Sequence, residues 1–339
     1  MTILSVTAAA SRSFWRTSPK GRRMMREIIE AIQHGRKFLV TAHVRLDGDA
    51  LGSELAFYFM LKALGKEAVV YNQDRTPERY RFLPGTQYIT HILDQVEGFD
   101  AAVILDCSDL TRVGDACERI RKIKTLINID HHVSNNGFCA LKMLDARAGS
   151  TGELIFRLMR EMNFPISKDV ATNLYAAIIT DTGSFRYSST GSETLHAAGE
   201  LVARGADPQW IAENIYENDS PVRLKLMAKA LESLSLDLEN KIGSLVVTQK
   251  NLQETGAAWE HTEGFVDIPR TVKGIEISIL FTEREANHYK LSLRSKSKAD
   301  VEKIAKKFGG GGHVHAASCW IRGNIESVKE QVIQAVKEL

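Results

Sequence analysis

Short apolar runs alternate with helical patterns over the first half of the chain. The apolar runs are KFLVTAHV (37–44), EAVVYN (67–72), AAVILDCSD (101–109) and TLINIDHH (125–132), and the helical patterns lie at 50–64, near 150–163 and at 168–180. The strands are continuously apolar rather than apolar at every second position, which is typical of a parallel sheet covered on both faces. This half therefore predicts an α/β domain whose ligands bind beyond the carboxyl ends of its strands.

The pattern changes in the second half, where 191–238 looks mostly helical and is followed by GSLVVTQ, IEISILFTE, YKLSLRSK and two helices after residue 300. This order predicts a smaller α+β domain. A chain of 339 residues exceeds one typical domain, and a cleft between domains is a common place for a ligand. We therefore expect a basic, disordered tail at 1–23, a parallel-sheet domain at 24–190, a helical connector at 191–241 and a substrate-binding domain at 242–339, with a cleft between the two domains.

Charge is distributed unevenly. The formal net charge is +2, but six of the 44 bases, Arg12, Arg16, Lys20, Arg22, Arg23 and Arg26, precede the first acid and leave 38 bases against 42 acids. An acidic body argues against wrapping of duplex DNA. The basic tail has the composition of an organellar transit peptide, although a plain tail is the simpler interpretation. With no apolar run of membrane-spanning length and four scattered cysteines, the sequence predicts a soluble, cytoplasmic protein.

Titratable side chains follow the predicted elements. They are His43, Asp47 and Asp49 after the first strand, Asp106 after the third, Asp130, His131 and His132 after the fourth, and Asp181 after the helical pattern at 168–180. Singly, Asp49 would pass as a helix N-cap, Asp181 as a turn residue and His43 as a satisfied polar group. Together they converge on one edge of a parallel sheet, where the carboxylates would repel one another without cations among them.

The kinds of ligand narrow the choice of metal. Imidazole and carboxylate without thiolate suit Mn²⁺, Mg²⁺ or Co²⁺. Two ions about 3.5 to 4 Å apart, bridged by one carboxylate, activate water and hold a phosphoryl group for in-line attack. Consecutive side chains on an extended strand point to opposite sides, so His131 and His132 should have different roles, one toward a metal and the other toward substrate.

The motifs HVRLDGD, LDCSD, DHH and TDTGSF, in this order, resemble the DHH phosphoesterase superfamily, and LSLRSKS and FGGGGHVHAAS resemble its DHH-associated C-terminal domain. The resemblance covers nearly everything after residue 24. It implies one ion held by His43, Asp47 and Asp106, and a second held by Asp49, Asp106, His131 and Asp181, with Asp106 bridging. It also implies that Asp130 orients the histidines and that His132 faces the scissile phosphate.

The glycine run at 309–312 is a second candidate site. Its backbone N–H groups can approach an anion closely, and a helix starting just beyond would add its positive end. A flexible linker is the simpler interpretation, but a histidine follows at once and a basic strand is expected alongside. The resemblance implies that the nucleotide end of the substrate is held by Arg294, Ser295, Gly310, Gly311, Gly312 and His313.

Length and composition separate the members of the superfamily. The chain is too short for RecJ-type exonucleases, lacks the membrane segments of cyclic dinucleotide phosphodiesterases, and lacks the Ser-Arg-Lys-Lys signature of family II pyrophosphatases. It most resembles bacterial oligoribonucleases, or nanoRNases, that also act as 3′-phosphoadenosine-5′-phosphate (pAp) phosphatases. The expected function is Mn²⁺-dependent hydrolysis of short RNA to mononucleotides, and of pAp to AMP. Two alternative functions stay open: a phosphodiesterase for cyclic or linear dinucleotides, and a non-catalytic nucleotide-binding protein. The sequence does not determine the oligomeric state, and a homodimer is one option.

Overall fold

The computed structural model describes residues 19–237, 239–296 and 299–338, without the side chains of Pro19, Lys20 and His313. The chain forms two compact units that divide between Asn218 and Asp219, inside the segment predicted as a connector. The first helix begins at Pro19, so residues 19–23 of the predicted tail are helical. Residues 1–18 of that tail lie outside the described part. No helix of the described part has the length and apolar character needed to cross a membrane.

A six-stranded sheet forms the centre of the N-terminal unit. Its strands are β1 (Lys37–Thr41), β2 (Glu67–Tyr71), β3 (Ile89–Thr90), β4 (Ala101–Leu105), β5 (Thr125–Asp130) and β6 (Leu141–Leu144). They lie in the order β3-β2-β1-β4-β5-β6, and every neighbouring pair is parallel. The predicted parallel α/β sheet is confirmed. The two edge strands were not predicted, because runs of two and four residues carry too little periodic signal.

Helices cover both faces of this sheet. They are α1 (Pro19–His34), α2 (Gly48–Ala63), α3 (Cys117–Ile120), α4 (Thr151–Glu161), α5 (Lys168–Asp181), α6 (Ser192–Ala203) and α7 (Pro208–Tyr216). Along β1, Val40 packs into the core formed with α1, α2, α4 and α5, while Leu39 packs into the core on the side of α3. Both side-chain directions are buried, which explains why the strands are continuously apolar.

The order of the strands creates a crevice at the centre of the sheet. The chain passes from β1 outward to β2 on one side, and β4 lies against β1 on the other side. In sheets of this kind the connections diverge at that point and leave space beyond the carboxyl ends of the two strands. Residues that follow β1, β4 and β5 are therefore placed around one crevice.

The C-terminal unit contains a second six-stranded sheet. Its elements are α8 (Pro221–Glu232), β7 (Ser235–Asp237), β8 (Ile242–Val247), α9 (Gln249–Thr255), β9 (Ile277–Glu285), β10 (His288–Ser295), α10 (Val301–Lys307), β11 (Gly311–His313), β12 (Ala316–Arg322) and α11 (Ile325–Lys337). The strand order is β11-β12-β10-β9-β8-β7, and the β8–β9 pair is parallel in an otherwise antiparallel sheet. With α10 and α11 packed on one face, this is the predicted α+β unit.

The structure corrects the prediction for the glycine run. No helix begins directly after it, since the run leads into the hairpin of β11 and β12, and α10 precedes it. Two of the glycines, Gly310 and Gly312, are needed for close packing at that hairpin. A Cβ on Gly310 would clash with the Ser318 carbonyl oxygen, and a Cβ on Gly312, which has φ +151°, would clash with the Ala316 carbonyl oxygen.

Candidate metal centre

The predicted metal ligands meet at the carboxyl ends of the central strands. Three groups of side chains bring their ligand atoms within 4.8 Å of one another: His43, Asp47 and Asp106; Asp49, His131 and Asp181; and Asp106, His131 and His132. Their donor atoms are imidazole nitrogens and carboxylate oxygens, with no thiolate. This set fits hard divalent cations such as Mn²⁺ or Mg²⁺.

Asp106 belongs to two of these groups, the one with His43 and Asp47 and the one with His131 and His132. Its Oδ2 is 3.2 Å from His43 Nε2, and its Oδ1 is 3.7 Å from His131 Nε2. The backbone of Asp106 is left-handed, at φ +56°, which is uncommon for residues other than glycine and is found at functional sites where surrounding contacts enforce it. One carboxylate thus faces two ligand groups, which is the arrangement that a bridging ligand requires.

Asp47, rather than Asp49, caps helix α2. The Ala50 N–H donates to Asp47 Oδ1 at 2.9 Å, which excludes the N-cap interpretation of Asp49. The other oxygen, Asp47 Oδ2, lies 3.6 Å from His43 Nε2. The cap therefore fixes the carboxylate so that one oxygen serves the helix and the other faces the centre.

Asp49 is buried and surrounded by hydrogen-bond donors that the sequence did not reveal. The backbone N–H groups of Thr151 and Gly152, in the first turn of α4, donate to its two oxygens at 2.7 and 2.9 Å, and the Ser53 hydroxyl donates at 3.1 Å. A helix N-terminus stabilises a carboxylate through such unpaired N–H groups. The Thr151 hydroxyl also donates to Asp106 Oδ1 at 2.9 Å. The Ser-Thr-Gly-Glu start of α4 was the sequence signal that could have identified these donors.

His131 faces the acids through Nε2, which lies 3.2 Å from Asp181 Oδ2 and 3.7 Å from Asp49 Oδ2. Its Nδ1 lies 3.2 Å from the Ala148 carbonyl oxygen. Metal-ligating histidines are commonly oriented by a carbonyl in this way. The Ala148 carbonyl is thus the contact of this nitrogen, at the histidine that Asp130 was also predicted to orient.

Asp130 contacts His132 instead. Its Oδ1 lies 2.7 Å from His132 Nδ1, and its Oδ2 accepts from Asn135 Nδ2 at 2.6 Å. Asp130 is fully buried, so Asn135, which sequence reasoning missed although it follows the DHH run closely, helps to satisfy a buried charge. His132 Nδ1 also lies 3.5 Å from Asp106 Oδ1. The different roles predicted for the two histidines therefore remain a prediction.

Crowding of charge shifts the ionisation of several groups. Burial, followed by the charges of Asp106 and Asp181, raises the pKa of Asp49 well above its usual range. Burial raises the pKa of Asp181 to about 7, although the charge of His131 opposes it. Burial lowers the pKa of His43, yet hydrogen bonds to Asp106 and Asp47 outweigh that effect and raise the pKa to about 11. The raised pKa values of Asp49 and Asp181 are the expected effect of burying several acids together, which positive charge among them would relieve.

Metal affinity should consequently rise with pH through 7. Below that pH, Asp181 with its pKa of about 7 binds a proton that a cation must displace. Each displaced proton should make Mn²⁺ affinity rise about tenfold per pH unit below the pKa. Calorimetric titration with Mn²⁺ at pH 6, 7 and 8, in buffers of different ionisation enthalpy, measures both the affinity and the protons released. Asp181→Asn should bind more weakly and release fewer protons at pH 6; unchanged release would contradict this assignment.

The residues predicted to hold a nucleotide lie in the C-terminal unit. Arg294 and His313 both pair with Ala316, one from β10 and the other from β11, so β12 separates the glycine run from the strand predicted to neighbour it. Ser295 is buried and donates to the Ala299 carbonyl oxygen at 2.6 Å, which gives its hydroxyl a structural partner. The side chain of His313 lies outside the described part.

Comparisons with known proteins agree with this arrangement. Family models match at residues 37–178 (DHH family, N-terminal domain) and 239–339 (DHHA1 domain). The bifunctional oligoribonuclease and PAP phosphatase NrnA of Thermus thermophilus is 33% identical to this chain. The aligned region covers 93% of this chain and 93% of that protein. The protein of that name from Bacillus subtilis is 27% identical over 88% of this chain and 93% of its own. A crystal structure of an exopolyphosphatase-related protein from Bacteroides fragilis matches with a TM-score of 0.88 and 27% identity, covering 94% of this chain and 96% of that one.

Proposed function

Because the chain belongs to the DHH family and carries a DHHA1 domain, we propose that it hydrolyses short oligoribonucleotides to mononucleotides and removes the 3′-phosphate of pAp. The observation that carries this proposal is that Asp106 is shared by two groups of metal-ligand side chains. The choice of substrates is supported by relatives named for both activities that match this chain along most of its length.

The proposed cofactor is a pair of divalent ions, Mn²⁺ in the first place and Mg²⁺ or Co²⁺ as alternatives. One ion would be held by His43, Asp47 and Asp106, and the other by Asp49, Asp106, His131 and Asp181. Two such ions activate water and stabilise the charge of the transferring phosphoryl group. The protein's own part is to hold the ligands in place, through the α4 N-terminus at Asp49 and the Ala148 carbonyl at His131.

His132 is proposed to donate a proton to the leaving oxygen. Burial lowers the pKa of His132, but the hydrogen bond to Asp130 and the charges of Asp106 and Asp130 outweigh it and raise the pKa to about 9. The imidazole is then protonated at neutral pH, and both of its nitrogens are donors. Asp130 contacts Nδ1, and Nε2, on the opposite side of the ring, is the nitrogen proposed to meet the substrate.

Arg294 and the glycines of 310–312, with His313, are proposed to hold the nucleotide end of the substrate. Replacing Arg294 by alanine should raise KM for pApA on the order of tenfold to 100-fold, since it removes a charge-assisted hydrogen bond to phosphate. Steady-state kinetics on pApA and on bis(4-nitrophenyl) phosphate would separate the roles, because the small diester needs no nucleotide contact. Lys303→Ala, an exposed base on α10, serves as control. An equal loss on both substrates would place Arg294 in the chemistry or the fold.

Chromatography of the products from pApA and from pAp tests the function itself. The purified chain with Mn²⁺ should release AMP from pApA, and AMP with phosphate from pAp. Asp106→Asn is the blank, because an activity that survives in it comes from a contaminant. Release from pApA alone would remove the phosphatase from the proposal. No release from either substrate would overturn the proposal and direct attention to cyclic dinucleotides.

A further inference from the structure

One face of the C-terminal sheet is open along β10 and β12. Residues on these strands alternate in burial, and Leu291, Leu293 and Cys319 pack into the core formed with α10 and α11. The positions between them face the other side: His288, Lys290, Ser292 and Arg294 on β10, and Ala316, Ser318, Trp320 and Arg322 on β12. On that same side, β8 and β9 are covered by α8 and by the segment containing Phe265 and Val266. This cover reaches Leu280 of β9, which pairs with Ser292 of β10. We call the eight positions the Trp320 strip.

Trp320 is the most conspicuous member of this strip. It is 48% exposed, lies directly opposite Lys290, and its ring centroid is 5.1 Å from that of His288. Proteins that bind single-stranded nucleic acid use aromatic rings among basic residues, where bases stack on the rings and phosphates meet the cations.

The charge of the strip suits a polyanion. Among its eight described positions, three are lysine or arginine, Lys290, Arg294 and Arg322, and none is aspartate or glutamate. Glu285 approaches the strip at the end remote from Arg294, where its Oε2 lies 3.5 Å from His288 Nδ1. Strand geometry places the Lys290–Trp320 pair about 13 Å from the Arg294–Ala316 pair. A ligand held at Arg294 reaches Trp320 only if it extends along the strands.

We propose that the Trp320 strip binds the nucleotides of a single-stranded oligoribonucleotide beyond the terminal one, with a base stacked on Trp320 and phosphates contacted by Lys290 and Arg322. This inference rests on the proposed function, in which Arg294 holds the terminal nucleotide. It deepens that function, because the strip distinguishes chains of several nucleotides from pAp. Stacking is tolerant of sequence, since every base offers a π-face.

Calorimetric binding of unlabelled pAp and of a 5′-phosphorylated pentaadenylate tests the strip. The full chain is used with Mn²⁺ and with Asp106→Asn to suppress hydrolysis. Trp320→Ala should raise the Kd of the pentamer about tenfold and change that of pAp little, while Trp320→Phe should restore most of the pentamer affinity. Trp210→Ala is the matched control, because Trp210 is 42% exposed but lies on α7 of the N-terminal unit.

Arg322→Gln provides a second test that does not depend on the tryptophan. The slope of log Kd against log salt for the pentamer should fall by about 0.7, the value for one lost contact with a single-strand phosphate.

Four results would overturn the proposal that the strip binds RNA. Trp320→Ala could weaken the binding of pAp and of the pentamer equally, or neither variant could affect the pentamer. Trp210→Ala could have the same effect as Trp320→Ala, or the chain could bind no pentamer. Binding that depends on Trp320 in a chain that releases no AMP would overturn the proposed function and leave the strip standing. If the chain releases AMP but Trp320→Ala does not change pentamer affinity, the proposal for the strip is overturned and the proposed function stands.

Discussion

Replacing Asp106 by asparagine should lower kcat/KM for pApA by about 10³-fold or more, since the loss of several kcal/mol of transition-state stabilisation by metal ions corresponds to that factor. The variant leaves both ligand groups without their shared charge, because the two oxygens of Asp106 face His43 on one side and His131 on the other. Asparagine is preferred to alanine because Asp106 has φ +56°, a conformation that asparagine tolerates. Initial rates and Mn²⁺ stoichiometry by calorimetry measure the effect.

Asp109→Asn is the control for this variant. Asp109 follows the same strand, but it caps the short 3-10 helix at Leu110–Val113 by accepting from the Thr111 N–H at 2.8 Å. Its replacement should leave Mn²⁺ stoichiometry and turnover close to those of the unmodified chain. If Asp106→Asn bound two ions and turned over normally, the shared-carboxylate assignment would be wrong.

Replacing His132 by alanine should lower kcat by about 10²- to 10⁴-fold, the usual contribution of a general acid or base, while both ions still bind. The reason is that His132 Nδ1 lies 2.7 Å from Asp130 Oδ1, closer than the 3.5 Å that separates it from Asp106 Oδ1. Single-turnover kinetics on pApA, together with Mn²⁺ calorimetry, would measure chemistry and metal binding separately.

His131→Ala is the matched comparison, because the two rings are adjacent, with centroids 5.0 Å apart. This variant should lose affinity for one ion, since Nε2 of His131 faces Asp49, Asp106 and Asp181. The group formed by Asp106, His131 and His132 makes the test decisive, because it offers an alternative in which both histidines hold one ion. Loss of metal from His132→Ala, with retention in His131→Ala, would reverse the two roles.

Much of the fold was predictable because its signals are local. The continuous apolar runs of β1, β4 and β5 identify strands buried on both faces, and polar residues at their ends identify the edge of the sheet where ligands bind. The ligand types, carboxylate and imidazole without thiolate, follow directly from residue identity. The edge strands β3 and β6 and the β11–β12 hairpin escaped prediction, because they depend on pairing between segments rather than on their own periodicity.

The groups that form hydrogen bonds with the metal-ligand side chains were not predictable from such local signals. Thr151 donates to Asp49 and Asp106 across 102 and 45 positions of sequence. The Ala148 carbonyl, rather than Asp130, contacts His131. Such contacts arise from the packing of α2, α4 and α5 around β5, and no pattern within one element specifies them.

The sequence by itself determined the α/β and α+β classes of the two units and the identity of the residues at the strand ends, because periodicity and side-chain chemistry act over a few residues. Only the tertiary structure decided which oxygen of Asp106 faces which histidine, which acid caps α2 and which residues share the open face of β10 and β12. Those relations depend on strand order and register, which are set by contacts between segments far apart in the chain.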